Sequence, residues 1–217
     1  MTVVTISREY GAGGSTVAGL VAQRLGLEVI DRSIVSEVSR QLQMPVGDVE
    51  SNEEHPTSLA SRILDSFRYL DPPEMSAAWQ PPYADVAFDP RHAVISRTED
   101  LIREAARRGG VVIVGRGAGF VLAGVPEVTR VYLHAPLAAR VKVAMTRTGL
   151  DEAGATRRLR ETDANRAAYI RQLYHADWHD MSGYQLTIDT SVVSTEATAD
   201  LIVAVVRAAS PIAATAG

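Results

Sequence analysis

A glycine-rich loop, Ser7-Arg-Glu-Tyr-Gly-Ala-Gly-Gly-Ser-Thr16, lies between a short β-branched run and a stretch with helical spacing. Strand, glycine loop and helix in that order can bind phosphate. Glycines let the backbone approach closely with its N–H groups turned inward, and the helix N-terminus adds partial positive charge. The full phosphate-loop pattern is G-x-x-x-x-G-K-[ST]. Aligned on Gly13 and Ser15, the chain keeps the second glycine and the hydroxyl. It puts Arg8 where the first glycine belongs and Gly14 where the lysine belongs. That lysine normally neutralises the β- and γ-phosphates during transfer, so its charge must come from elsewhere, and Arg8 is the nearest replacement. Other readings stay open: a glycine turn with no ligand, a surface role for Arg8, or a dinucleotide loop. For the last, Gly11-x-Gly13 and an acidic Asp31 ending the second strand are suitably placed, but Thr16 stands in place of the third glycine.

Arginines form the second group. Arg116 sits between two glycines directly after an apolar strand, where open α/β sheets bind their ligands. Further on, Arg157-Arg-Leu-Arg-Glu-Thr-Asp-Ala-Asn-Arg166 brings several cations together, among them Arg157 and Arg160. Phosphoryl transfer needs such charge around the moving group, and a mobile arm can supply it on closure. Asp163 and Arg166 are three apart and share a helix face, so the carboxylate can orient the guanidinium or contact substrate. A solvated helix with surface ion pairs is the competing reading for these arginines. His175 and His179 have metal-binding spacing for a helix, but the intervening glutamate of a zinc hydrolase is absent.

The elements that position these residues read as α/β. Val3, Val4 and Ile6 form a strand, Val17–Leu25 a helix stopped by Gly26, Leu27–Ile30 a strand and Ile34–Leu42 a helix. Val94–Arg108 is amphipathic, and Val111–Val114 reads as a buried parallel strand. Val128–Leu133 is a strand, Leu137–Thr148 a helix, and Asp151–Trp178 a long arginine-rich helical region. Gln185–Ile188 and Glu196–Ala209 close the pattern as strand and helix. Five parallel strands are expected in a single domain over 1–209. Seven of the ten prolines fall between Pro45 and Pro90, which marks 43–92 as an excursion from the core. Its aromatics Tyr69, Trp79, Tyr83 and Phe88 either line a pocket or tie the excursion down. Residues 150–180 read as a lid-like region, and the tail 210–217 is expected to be flexible.

Composition narrows the classes. There is no cysteine, so disulfides and thiolate chemistry are excluded. A net charge of −4 gives no basic sheath for nucleic acid. No apolar run approaches the ~18 residues of a membrane helix, and the N-terminal residues do not resemble a secretory leader, so a cytoplasmic location is expected.

Taken together, the motifs resemble the cytidylate-kinase-like family, related to the nucleoside monophosphate kinases. The residues that carry the resemblance are Ile6-Ser-Arg-Glu-Tyr-Gly-Ala-Gly-Gly14, Asp31-Arg32, Val112-Ile-Val-Gly-Arg-Gly117, Val131-Tyr-Leu-His-Ala-Pro136, Asp163-Ala-Asn-Arg166 and Tyr184-Gln-Leu. The resemblance implies a P-loop NTPase-type core, a monophosphate-binding excursion, an arginine-rich lid, and ATP with Mg²⁺ as cosubstrates. It places the ATP phosphates on Gly11, Ala12, Gly13, Gly14, Ser15 and Thr16, with Arg157 also on ATP and Ser15 as the Mg²⁺ ligand. The acceptor falls to Asp31, Arg32 and Arg116, and the transfer itself to Arg8, Arg160, Asp163 and Arg166. The expected acceptor is a small anion, first a pyrimidine nucleoside monophosphate such as CMP or dCMP. Two positions depart from true cytidylate kinases: Gly14 at the lysine position, and Gly117 where those enzymes carry an aspartate that helps read cytosine. A catalytically weak nucleotide-binding sensor is the alternative.

Overall fold

The computed structural model describes residues 2–31, 33–47 and 90–209. In chain order the elements are β1 (Val3–Arg8), α1 (Gly14–Leu25), β2 (Glu28–Ile30), α2 (Ser33–Leu42), α3 (Pro90–Arg108), β3 (Val111–Val114) and α4 (Ala118–Val121). Then come β4 (Val128–His134), α5 (Leu137–Thr148), α6 (Glu152–Tyr174), a 3₁₀ turn at Met181–Gly183, β5 (Leu186–Asp189) and α7 (Thr195–Ala208). The five strands form one parallel sheet in the order β2-β3-β1-β4-β5. β1 is central, with Val3 opposite Val111 on one side and Val128 on the other.

The period-two pleat explains why β3, buried on both faces, reads as an unbroken apolar run, Val-Val-Ile-Val. Alternate residues feed two separate cores. Val3, Val111 and Ile113 pack with Ile34 and Val38 of α2 and Ile102 of α3. Val4, Ile6, Val112 and Val114 pack on the other face with Val17 and Val21 of α1 and Ile202 of α7. Two smaller clusters hold the later helices. Tyr132 of β4 gathers Tyr169 and Ile170 of α6 with Trp178. Val141 and Ala144 of α5 meet Ala155 and Leu159 of α6, making a helical hairpin with a minor core of its own.

Parallel strands deliver all their carboxyl ends to one edge. Arg8 ends β1, Asp31 follows β2, Gly115-Arg116-Gly117 follows β3, and Ala135 follows β4. Every sequence expectation for a strand coincides with an observed one. The helical region expected to reach Trp178 instead stops at Tyr174, with His175 in a left-handed conformation at φ 52°. His175 and His179 therefore do not share a helix turn, which corrects the metal-binding reading. Among the described residues no group of three or more His, Asp and Glu is placed to hold a metal, and no helix is long and apolar enough to cross a membrane. Arg32, the excursion's Tyr69, Trp79, Tyr83 and Phe88, and the tail 210–217 lie outside the described residues.

Candidate active site at the carboxyl edge of the sheet

The glycine loop opens helix α1 without a side-chain cap. Gly13, left-handed at φ 78°, occupies the N-cap position, and the amides of Thr16 and Val17 already bond its carbonyl. The N–H groups of the turn before them are left to face a ligand. Gly11 is also left-handed, at φ 87°, and a Cβ there would stand 3.1 Å from both Cβ and O of Arg140. The loop thus lies flat against α5 and needs glycine for shape and for contact.

A cavity of about 210 Å³ sits over this loop, lined by Gly11, Gly13, Gly14 and Ser15 together with Arg8, Arg147, Arg166 and Asp31. Ser15 Oγ donates to Asp31 Oδ2 at 3.0 Å, and Arg8 Nη2 lies 3.7 Å from Asp31 Oδ1. Two hard oxygen donors therefore share one wall of the cavity, a donor set that suits Mg²⁺. Arg147 Nη2 donates to Thr16 Oγ1 at 3.3 Å. Arg166 Nη1 donates to the carbonyl of Arg8 at 3.0 Å.

Beneath the loop runs a charged network. Arg140, only 7% exposed, donates from Nε to the Ala135 carbonyl at 2.8 Å and from Nη1 to the Tyr10 carbonyl at 3.1 Å. Its charge is met by Glu9, 3.1 Å from Nε, and by Asp163 Oδ2, 2.6 Å from Nη1. Two carboxylates around one guanidinium satisfy the rule that a buried charge must be paired and hydrogen-bonded. Asp163 also accepts the Tyr10 amide at 2.8 Å and lies 3.7 Å from Arg166. Glu9 accepts the Ala135 amide. Residues from β1, α5 and α6 are thereby fixed in one arrangement around the loop.

The expected site residues divide accordingly. Arg8, Gly11, Gly13, Gly14, Ser15, Asp31 and Arg166 meet at the cavity, Thr16 joins it through Arg147, and Ala12 is buried in the sheet core. Asp163 anchors loop and arginines from below. Arg116 stands one residue past Gly115, left-handed at φ 56°. Arg157 and Arg160 are not brought to the cavity; they stand with Glu152 and Glu161 on an exposed face of α6.

Residues 3–192 match the Cytidylate kinase-like family. The chain belongs to that family. It is similar to the cytidylate kinase of Methanopyrus kandleri, 27% identical over 94% of this chain and 92% of the relative. It is also similar to the cytidylate kinase of Ignicoccus hospitalis, 30% identical over 93% and 97%. In fold it resembles an uncharacterized protein from Eubacterium ventriosum, with TM-score 0.68, 19% identity and coverage of 95% of this chain and 99% of the other. A shikimate kinase from Bacteroides thetaiotaomicron shares the fold at TM-score 0.52, 13% identity and coverage of 95% and 96%.

Glu9, Arg140 and Arg147 were not singled out from the sequence of this family member. The signal for Arg140 was present. On helix Leu137–Thr148, position 140 shares a stripe with Val141 and Ala144, both buried, and an arginine on an apolar stripe demands carboxylate partners. Arg147 lies seven residues on, on the same side of the helix. Nothing local marks Glu9, because its partners come from residues more than a hundred positions away.

Proposed function

We propose that the protein transfers the γ-phosphoryl group of ATP to a small anionic acceptor, with a pyrimidine nucleoside monophosphate as the first to test. The observation that carries this reading is the cavity in which an uncapped helix N-terminus, two oxygen donors and three arginines converge. The match to the family and to relatives named cytidylate kinase supports it.

In this reading the amides of Gly11, Gly13, Gly14 and Ser15 cradle the ATP phosphates, those of Ala12 and Thr16 being used within the loop. Ser15 and Asp31 are the residues that would hold Mg²⁺, which would supply charge to screen the phosphate oxygens. Arg147 and Arg166 add charge from α5 and α6, with Asp163 fixing Arg166 and the loop together. Arg116, and Arg32 next to Asp31 in sequence, take the acceptor's phosphate. An acceptor phosphate oxygen attacks the γ-phosphorus as the bond to the bridging β,γ-oxygen breaks, and ADP leaves. No strong general base is required, because positioning and charge neutralisation dominate such transfers.

A coupled ADP-release assay with CMP, dCMP, UMP, AMP and GMP, run beside calorimetric ATP titration, tests the proposal. ATP-dependent turnover of one monophosphate at least tenfold over the others is expected. Gly14 at the lysine position favours a second reading, a nucleotide-binding sensor; ATP binding with no turnover on any acceptor would select it.

A further inference from the structure

Gly14 and Arg8 are exchanged relative to the full phosphate-loop pattern: the cation sits where the first glycine belongs, and a glycine sits where the lysine belongs. In space the two positions coincide. A Cβ on Gly14 would stand 2.7 Å from Cγ, 3.1 Å from Cβ and 3.3 Å from Cδ of Arg8. These are the inner atoms of the arginine, which cannot swing aside as a side-chain tip would. Further along, a Cβ on Gly115, itself left-handed at φ 75°, would stand 1.9 Å from Nη1 of Arg8. The arginine therefore runs across Gly14, through the space a lysine stem would need, and ends against the residue that follows β3.

We propose that Arg8 is this site's principal phosphate-binding cation, delivered from the opposite end of the loop, and that Gly14 is a glycine because the arginine's side chain occupies its Cβ space. The inference rests on the ATP reading of the cavity given above and names the group that replaces the lysine. Three observations carry it. Arg8 lines the cavity with the loop glycines. Its head lies 3.7 Å from Asp31, which itself accepts from Ser15, so the guanidinium is steered to the wall where the cation-binding oxygens sit. Its carbonyl is held by Arg166, which fixes the backbone from which the side chain departs. Gly14 has no positive φ, unlike Gly11 and Gly13, so backbone conformation does not require a glycine there. A guanidinium can engage two phosphate oxygens in a fork, which an ammonium does not.

The exchange makes a coupling prediction that a purely structural arginine would not. Calorimetric titration with ATP and with ADP is carried out on the full chain, with ligand-free thermal unfolding as the folding control. Arg8→Ala weakens ATP at least tenfold. Gly14→Ala, a single methyl, weakens it comparably in the parent chain, because the methyl displaces Arg8. In the Arg8→Ala background the same methyl has less than a twofold effect. Gly14→Lys alone binds poorly, whereas Arg8→Gly with Gly14→Lys, which recreates the full pattern, recovers affinity to within about tenfold of the parent. If Arg8→Ala does not fold, Arg8→Gln keeps the stem without the charge and takes its place. Parent-like ATP affinity in the neutral variant, or strictly additive effects of the two sites, overturns the inference and leaves the ATP reading standing. Absence of ATP and ADP binding by the parent chain overturns the ATP reading itself.

Discussion

The amide of Tyr10 donates to Oδ1 of Asp163 at 2.8 Å, across 153 residues of sequence, while Oδ2 of the same carboxylate takes Arg140 at 2.6 Å. One side chain on α6 thus holds both the glycine loop and the buried arginine beneath it. Asp163→Ala strands Arg140 with Glu9 alone and should cost about 3 kcal/mol, at the low end for breaking a buried pair because the Asp163 side chain keeps 15% exposure. Asp163→Asn has one carbonyl oxygen for two acceptor tasks, so it should regain only about 1 kcal/mol. Urea unfolding measures both. A loss below about 1 kcal/mol for the alanine variant would show that the network does not hold the loop.

Gly11 tests the same contact from the loop side. Its φ of 87° disfavours any side chain, and a methyl there would press on Arg140 at 3.1 Å. Gly11→Ala should cost about 1–3 kcal/mol, the range for a strained backbone position. Gly13 differs in a useful way. It is also left-handed, but a Cβ there meets no protein atom within 4 Å. Gly13→Ala should therefore lose only about 1–2 kcal/mol of stability. Its larger effect should be on ATP affinity, since Gly13 lines the cavity proposed to take the ATP phosphates. Chemical denaturation beside ATP titration separates the two; equal ATP affinity in Gly13→Ala and the parent would exclude this loop as the phosphate site.

Tyr132 offers a prediction of opposite sign. It is 1% exposed, and its hydroxyl has no hydrogen-bond partner among the described residues. Burial, with Glu9 nearby as a lesser cause, pushes the phenol above its ordinary range, so it stays neutral. Its ring packs against Trp178 and Tyr184 at 5.6 and 5.2 Å, contacts that phenylalanine would keep. Tyr132→Phe should leave stability unchanged or raise it by up to about 1 kcal/mol, because it removes an unmet polar group. A loss greater than about 1 kcal/mol on thermal unfolding would reveal a partner, such as a bound water, for that hydroxyl.

The layered fold was legible because β3 is an unbroken apolar run and β1 carries Val3, Val4 and Ile6, and because glycines at 26 and 149 stop their helices with left-handed caps. The loop was legible because its glycines follow a strand and open a helix. The network around Arg140 was not, because it is made of contacts between residues more than a hundred positions apart or between separate helices. Local spacing linked Asp163 to Arg166, which is correct at 3.7 Å, but could not show that Asp163 binds Tyr10 and Arg140 more closely. Nor could spacing show that α6 carries its arginines to two different places.

That division of α6 bears on closure. Arg166 already reaches the loop, and the C-terminal half of the helix is locked into the aromatic cluster. Tyr174 stacks on Phe120 at 5.7 Å and donates to Glu99 at 3.0 Å, and its phenol is kept neutral by burial. Arg157 lies nine residues before Arg166, about 13 Å along the helix axis, and is exposed on the helix surface with Arg160. The N-terminal half packs on α5 through the minor core of Val141, Ala144, Ala155 and Leu159, apart from both sheet cores. A hairpin with so small a core opens and shifts more cheaply than elements packed on the sheet. If this arm closes over nucleotide, the moving part is therefore the hairpin tip, residues 145–161, and not the whole of 150–180. Hydrogen exchange should slow across 145–161 on adding ATP with an acceptor and change little across 163–174. Arg166→Ala should lower turnover in both single- and multiple-substrate assays, whereas Arg157→Ala and Arg160→Ala should act on turnover only if that slowing is seen. Slowing confined to 163–174, with full activity in Arg157→Ala and Arg160→Ala, would remove the two earlier arginines from the site.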